Sequence, residues 1–247
     1  MTTHLKHKEQ FQEILRHYKV SDHGIAVLHK VNFVGMLGIT SSGRNTIMDE
    51  LVEGGEFTYI VSDTTRPPRK NNGVLENNGE VYWFREEEEV LQDLKDGLFL
   101  EAELIHDQQV SGVSIRELER ASVAHKIAIT DIDHEGVHNI LQVKPDATII
   151  LTISPSFKEW MRRFESRGTM SEVEAQRRFT TAVTMLDFVK NNYTNSIQCV
   201  INDDLNVAAA QVAAISRGEI SLSAQRKEVA AVIAALKSGA EEYLARF

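Results

Sequence analysis

Apolar residues along this chain follow two rhythms, and the alternation between them predicts the architecture. Short, nearly unbroken apolar runs lie at residues 31–39, 58–61, 99–105, 126–133, 147–153 and 197–202. Between them the pattern is helical, over residues 45–52, 86–94, 114–121, 135–143, 156–166 and 171–191. Strands alternating with helices predict an α/β domain on a mainly parallel sheet, because a parallel crossover needs a helix to carry the chain back. The runs 126–133 and 147–153 have little polar interruption, as expected of strands covered on both faces.

The two ends differ from this middle. Leu5, Phe11, Ile14, Leu15 and Tyr18 form one apolar stripe on a helical N-terminal segment. Val229, Val232, Ile233, Leu236, Tyr243 and Leu244 do the same within residues 221–247. The expected organisation is a helical extension at 1–30, a main domain at 31–217 and a second helical extension at 218–247. Each stripe allows docking on the main domain, self-association or recruitment of a partner. The acidic run at 86–89 reads as a solvated helix N-terminus, where negative charge is favoured.

Composition narrows the function classes. Of 247 residues, 42% are apolar and 26% charged, enough for a sizeable core without staples. The formal net charge of −9 argues against a nucleic-acid binder, which needs a basic face. A local arginine cluster on such a protein can still take a small phosphorylated ligand. The single cysteine, Cys199, removes any internal disulfide or cysteine-based metal site and fits a reducing compartment. The polar first twelve residues lack the apolar core of a secretory signal, and no run approaches membrane-spanning length. The expectation is a cytoplasmic protein with no membrane partner.

Two segments carry candidate chemistry. Gly38-Ile39-Thr40-Ser41-Ser42-Gly43-Arg44-Asn45-Thr46 follows the first apolar run and opens a helix, the context a phosphate-binding P-loop requires. Its glycines let backbone N–H groups turn inward, and the helix N-terminus adds partial positive charge. A tight strand-to-helix connection is the alternative for this segment alone. Arg44 stands where a P-loop usually has lysine, and Asn45 where it has the serine or threonine that holds magnesium. The second segment is Val61-Ser62-Asp63-Thr64-Thr65-Arg66-Pro67-Pro68-Arg69. It sets two arginines three residues apart across a rigid Pro-Pro step, and guanidinium groups suit phosphate oxygens.

The second segment resembles the phosphate loop of guanylate kinases, Ser-x-Thr-Thr-Arg-x-Pro-Arg. The resemblance extends in order from about Phe33 to Leu205. Gly79 to Phe84 is similar to Gly-x-x-Tyr-x-Phe, and Gly97 to Glu101 to Gly-x-Phe-[Leu/Ile]-Glu. Ile129-Thr130-Asp131-Ile132-Asp133 with Gly136 resembles Leu-Asp-Ile-Asp-x-x-Gly. Residues 155–169 resemble the lid, and Arg177-Arg178-Phe179 and residues 200–205 the closing motifs.

The resemblance implies a P-loop kinase fold with helices on both sheet faces, a small GMP-binding β subdomain and a helical lid. It implies phosphoryl transfer from ATP to GMP, giving ADP and GDP, with Mg²⁺ as cofactor. Arg66, Arg69, Tyr82, Ser111, Ser114 and Asp133 would then serve the GMP site, with Ser62 and Glu101 reading guanine. Gly38, Ser41, Ser42, Gly43, Arg44, Asn45, Thr46 and Asn202 would serve ATP, with Asn45 as a weak metal ligand. Arg44, Arg163, Arg167, Arg178 and Asp131 would act on the transferring phosphoryl group, while Arg162 and Arg177 read as solvated. Asp131 and Asp133 also suit capping of the following helix.

Four departures from the family pattern stand out: the Arg44-Asn45 pair as above, Ser111 in place of a tyrosine, Met185 in place of a glutamate, and a longer, Asn- and Gly-rich stretch from Arg69 to Tyr82. That stretch is expected to be a mobile loop, and Arg44→Lys to raise turnover. The alternative function is a catalytically impaired relative that binds GMP or a phosphorylated partner.

Overall fold

The protein is described by a computed structural model covering residues 5–71, 73–166, 168, 170–192 and 197–247. In chain order its elements begin with α1 (Lys8–Arg16), α2 (Asp22–Lys30), β1 (Phe33–Gly38), α3 (Arg44–Glu53) and β2 (Phe57–Tyr59). Short strands come next: β3 (Asp63–Thr64), β4 (Lys70–Asn71), β5 (Val74–Leu75) and β6 (Trp83–Phe84). Then come α4 (Glu87–Lys95), β7 (Phe99–Ile105), β8 (Gln109–Ser114), α5 (Ile115–Val123), β9 (Ile127–Asp131) and α6 (His134–Val143). The chain continues through β10 (Thr148–Ile153), α7 (Phe157–Glu165), α8 (Glu172–Asn192), β11 (Ile197–Ile201), α9 (Leu205–Ser216) and α10 (Arg226–Leu244).

A five-stranded sheet has the order β11-β10-β1-β9-β2, and β10 pairs in parallel with both β1 and β11. All but the first residue of β10, Thr-Ile-Ile-Leu-Thr-Ile, are buried. Its β-branched and leucine side chains suit a strand buried on both faces. The P-loop connection therefore leaves the end of a strand that is hydrogen-bonded within a rigid sheet.

The chain divides into two compact units. One comprises residues 33–57, 129–141 and 145–247 and contains β1, α3, β10, β11 and the long C-terminal helices. In it Tyr243 of α10 stacks on Phe179 of α8 with centroids 4.4 Å apart, and Phe179 lies 4.8 Å from Trp160 of α7. The C-terminal apolar stripe is thus docked on the helices of its own unit.

The other unit comprises residues 1–32, 58–128 and 142–144. Its four-stranded sheet has the order β6-β3-β8-β7, with β7 and β8 antiparallel. Phe11 of α1 is fully buried against Val90, Leu91, Leu94, Phe99 and Val110. Leu5, Ile14, Leu15 and Tyr18 pack on the same cluster, so the N-terminal stripe also docks within its own unit.

The six apolar runs all contain strands, but β8 and the two-residue strands β3 to β6 are additional. β8 reads Gln-Val-Ser-Gly-Val-Ser, too polar to register as an apolar run, and becomes a strand by pairing with β7. Residues 69–82, expected to be a mobile loop, include the antiparallel pair β4–β5. The acidic run is only partly solvated in character. Glu87 accepts from the backbone N–H groups of Lys6 and His7, and Glu89 from Arg85. Among the described residues, no helix is long and apolar enough to cross a membrane.

Candidate functional site

The P-loop lies in the unit containing β1. Ser41 has φ +59° and Gly43 φ +88°, two left-handed residues flanking Ser42. A non-glycine residue in this region signals a constrained turn, and such turns point successive N–H groups to one side. Glycine is required at 43, since any Cβ would collide with the Asn202 amide. That amide donates to the Ser42 carbonyl at 2.9 Å, and the Trp160 indole N–H donates to the Thr40 carbonyl at 2.7 Å. Two buried donors therefore pin the loop backbone.

The hydroxyls of Ser41 and Ser42, and those of Thr152 and Ser154 at the end of β10, are buried and lack a hydrogen-bond partner. Leaving buried polar groups unpaired is unfavourable, and a cluster of them beside a loop of this geometry fits an oxyanion. Arg44, at the start of α3, holds two partners. Its Nη2 donates to Asp131 Oδ2 at 3.0 Å and its Nε to Asn45 Oδ1 at 3.1 Å. Asp133 serves the following helix instead, with Oδ1 accepting from the Gly136 N–H at 2.7 Å.

Two helices present paired arginines through a repeated Glu-x-x-Arg-Arg pattern. On α7, Glu159 accepts from Arg162 and Arg163, the latter at 2.6 Å. On α8, Glu174 accepts from Arg177 and from Arg178, the latter at 2.8 Å. In each pair the first arginine is exposed and the second half-buried. Arg163 Nη1 lies 4.0 Å from the point a Cβ at Gly43 would occupy, so it borders the P-loop. Hydrogen bonds from Arg162 and then Arg163 pull the Glu159 carboxyl down to about 2.

The arginine loop lies in the other unit. Arg66 is 6% exposed, and its two terminal nitrogens form a bidentate pair with Glu76, at 2.5 and 3.1 Å. Glu76 also accepts from the Arg69 backbone N–H at 2.8 Å, so one carboxylate closes the turn and orients the guanidinium. The rings of Tyr82 and Phe84 lie 4.9 and 5.3 Å from the Arg66 guanidinium carbon. Arg69 itself is exposed. Ser62 contributes its carbonyl to the Trp83 N–H at 2.9 Å. Ser111 Oγ donates to Thr64 Oγ1 at 2.8 Å, and Ser114 Oγ lies 3.5 Å from the buried carboxylate of Asp63. Asp63 also binds Arg85 and Arg116, each at 2.8 Å. Burial pushes its carboxyl up from the ordinary value, against the pull of Arg116 and Arg85. Glu101 sits on β7 immediately after a register shift between Phe99 and Glu101. Such irregularities re-aim side chains beside functional sites.

Comparison with known proteins supplies the family. Residues 31–218 match the family model described as guanylate kinase. The chain belongs to the guanylate kinase family. It is 31% identical over 180 residues to a guanylate kinase of Caldanaerobacter subterraneus subsp. tengcongensis, covering 72% of this chain and 82% of that protein. It is 31% identical over 170 residues to guanylate kinase 1 of Oryza sativa subsp. japonica. That alignment covers 68% of this chain but only 43% of the rice protein. A crystal structure of guanylate kinase from Anaplasma phagocytophilum shares the fold. Its TM-score is 0.53 at 19% identity, covering 83% of this chain and 88% of that one.

Within this guanylate kinase fold, Gly38, Ser41, Ser42, Gly43, Arg44, Asn45, Thr46, Asp131, Asp133, Arg163, Arg178 and Asn202 all fall in the β1 unit. Ser62, Arg66, Arg69, Tyr82, Glu101, Ser111 and Ser114 fall in the other. Arg167 and Thr169 lie outside the described residues. Met185, the family departure on α8, is a buried core residue. Sequence reasoning misses Glu76 and Trp160. Glu76 sits in a polar stretch with no distinguishing pattern, and Trp160 looks like an ordinary core aromatic. A bulky residue three positions before Arg163 is the available signal for the second.

Proposed function

We propose that this chain transfers the γ-phosphoryl group of ATP to GMP, giving ADP and GDP. The observation that carries this reading is the placement of Arg44. Arginine replaces the usual lysine, yet its guanidinium stays beside the P-loop, bonded to Asp131 and Asn45. The backbone N–H groups of residues 38–46, with the Ser41 and Ser42 hydroxyls, would cradle the ATP phosphates. Thr46 at the helix start and Asn202 behind the loop would complete that cradle. Arg44, Arg163, Arg178 and Arg167 would neutralise charge on the transferring group, the principal task in phosphoryl transfer.

For the acceptor, Arg66 uses three N–H···O bonds on Glu76 and the Pro67 carbonyl. Its Nε edge is left to grip a phosphate, and Glu76 supplies the orientation. Arg69 and Tyr82 would add donors around GMP, whereas the Ser111 and Ser114 hydroxyls are directed at Thr64 and Asp63 and would have to turn to join them. A Glu101 carboxylate can accept from both N1–H and the 2-amino group of guanine, and Ser62 would be a second base-reading group. Adenine offers no such donor pair, which gives discrimination an apolar slot lacks.

Magnesium, when bound with ATP, would offset phosphate charge. The oxygen donors that could hold it are the Asn45 amide oxygen and the Asp131 carboxylate, both of which accept from Arg44. Two oxygen donors fit an ion that keeps most of its shell as water and phosphate oxygens.

One observation favours a second reading, binding without efficient turnover. The Asn45 oxygen already accepts from Arg44, so the position that holds magnesium in a usual P-loop is engaged internally. A coupled ADP-release assay with ATP, Mg²⁺ and GMP, against AMP, CMP and UMP, separates the two. GMP-dependent turnover supports the kinase; GMP binding by calorimetry without turnover supports the binder; neither defeats both.

A further inference from the structure

The N-terminal segment does more than cover an apolar face. Tyr18, just past α1, places its hydroxyl against β7, the terminal strand of its sheet. The hydroxyl donates to the Phe99 carbonyl at 2.7 Å and accepts from the Phe99 N–H at 2.8 Å. An edge strand presents unpaired backbone groups, and here one phenol satisfies both groups of one residue, as a neighbouring strand would. The contact is reinforced two residues earlier. The Ser21 N–H donates to the Gly97 carbonyl at 3.0 Å, and Gly97 has φ +67°. A Cβ there would press on the Ser21 nitrogen at 2.7 Å. Phe11 fills the apolar cluster that contains Phe99, so α1 holds the same residue through its side chain.

This clamp sits directly before a break in the ladder. The β7–β8 register shifts here: Phe99 lies opposite Ser114 and Glu101 opposite Val113, so Leu100 is the extra residue and the turn of the strand into Glu101 depends on how Phe99 is held. The last residue held before the irregularity is the one Tyr18 grips. We propose that Tyr18 is a positioning residue, which sets the start of β7 and thereby the aim of the Glu101 carboxylate at guanine. This rests on the guanine-reading role of Glu101 proposed above. Burial moves the phenol up to about 12, so it remains a donor to Phe99 throughout the neutral range.

The test uses the full chain and calorimetric affinities for GMP and for IMP, which lacks the 2-amino group, so no turnover is needed. Tyr18→Phe keeps the ring and removes both hydrogen bonds. The expected result is GMP affinity weakened by about tenfold, the scale of one mis-set polar contact, with a similar fall in GMP-over-IMP preference. Glu101→Gln should abolish the preference, and the double variant should lose no more than Glu101→Gln alone, because residues acting through one contact are non-additive. If Tyr18→Phe lowers the melting temperature but leaves the GMP-over-IMP ratio intact while Glu101→Gln collapses it, Tyr18 is merely structural and the inference fails alone. If Glu101→Gln leaves the ratio intact, the base-reading assignment fails and takes the inference with it.

Discussion

The indole N–H of Trp160 donates to the carbonyl of Thr40 across 2.7 Å, joining α7 to the turn of the P-loop. Trp160 is fully buried and also touches Phe157 and Phe179. The helix that carries Arg163 is therefore tied to the loop whose phosphate Arg163 would meet. Trp160→Phe should keep the aromatic packing but orphan the Thr40 carbonyl. We expect a stability loss of about 1–3 kcal/mol by urea unfolding, with weaker ATP binding by calorimetry. Unchanged ATP affinity would mean that the loop holds its shape without this bond.

Arg44 uses two guanidinium nitrogens, Nε on Asn45 and Nη2 on Asp131. From the sequence, lysine at this position is expected to raise turnover. The geometry reverses that expectation, because a lysine ammonium is a point charge and cannot span both partners in the same way. Arg44→Lys should lower kcat, by about tenfold or more if the misplaced charge forfeits transition-state contact. Steady-state ADP release decides it, and a gain would restore the simpler view of arginine as a defect.

Glu76 and Arg66 are both nearly excluded from solvent, at 7% and 6% side-chain exposure. Removing one partner of a buried pair strands the other charge. Glu76→Ala should destabilise the protein by about 3–5 kcal/mol and weaken GMP binding, because Arg66 loses its orientation. Urea unfolding and calorimetry read the two effects. Lost stability with unaltered GMP affinity would confine Glu76 to a structural role.

Glu159 titrates near 2 in the folded chain against an ordinary value of 4.5, owing first to Arg162 and then to Arg163. A depressed carboxyl contributes stability that is present above the unfolded value and lost as pH falls through the folded one. The wild type should therefore lose stability between about pH 4.5 and 2, and Glu159→Gln should show a shallower decline across that window. Denaturant unfolding at stepped pH measures both curves. Superimposable slopes would show that solvent screens the pair completely, as happens for many exposed pairs.

Much of the fold is legible along the chain because parallel, doubly covered strands leave continuous apolar runs. The runs at 126–133 and 147–153 mark β9 and β10 by composition alone. The P-loop and the arginine loop are legible for a related reason: both are local motifs, in which glycine, proline and arginine act on their own backbone neighbours. β8 leaves no such mark, since its strand character comes from pairing with β7 rather than from its own residues.

The linear order of residues thus determined the α/β layout, the family and the two anion-binding segments, all of which depend on short-range spacing. Tertiary structure alone decided which groups hold those segments in place. Trp160 reaches Thr40 across 120 positions, Asn202 reaches Ser42 across 160, and Tyr18 reaches Phe99 across 81. No periodicity encodes contacts at such separations, because they arise only when distant elements pack and each buried polar group must find a partner.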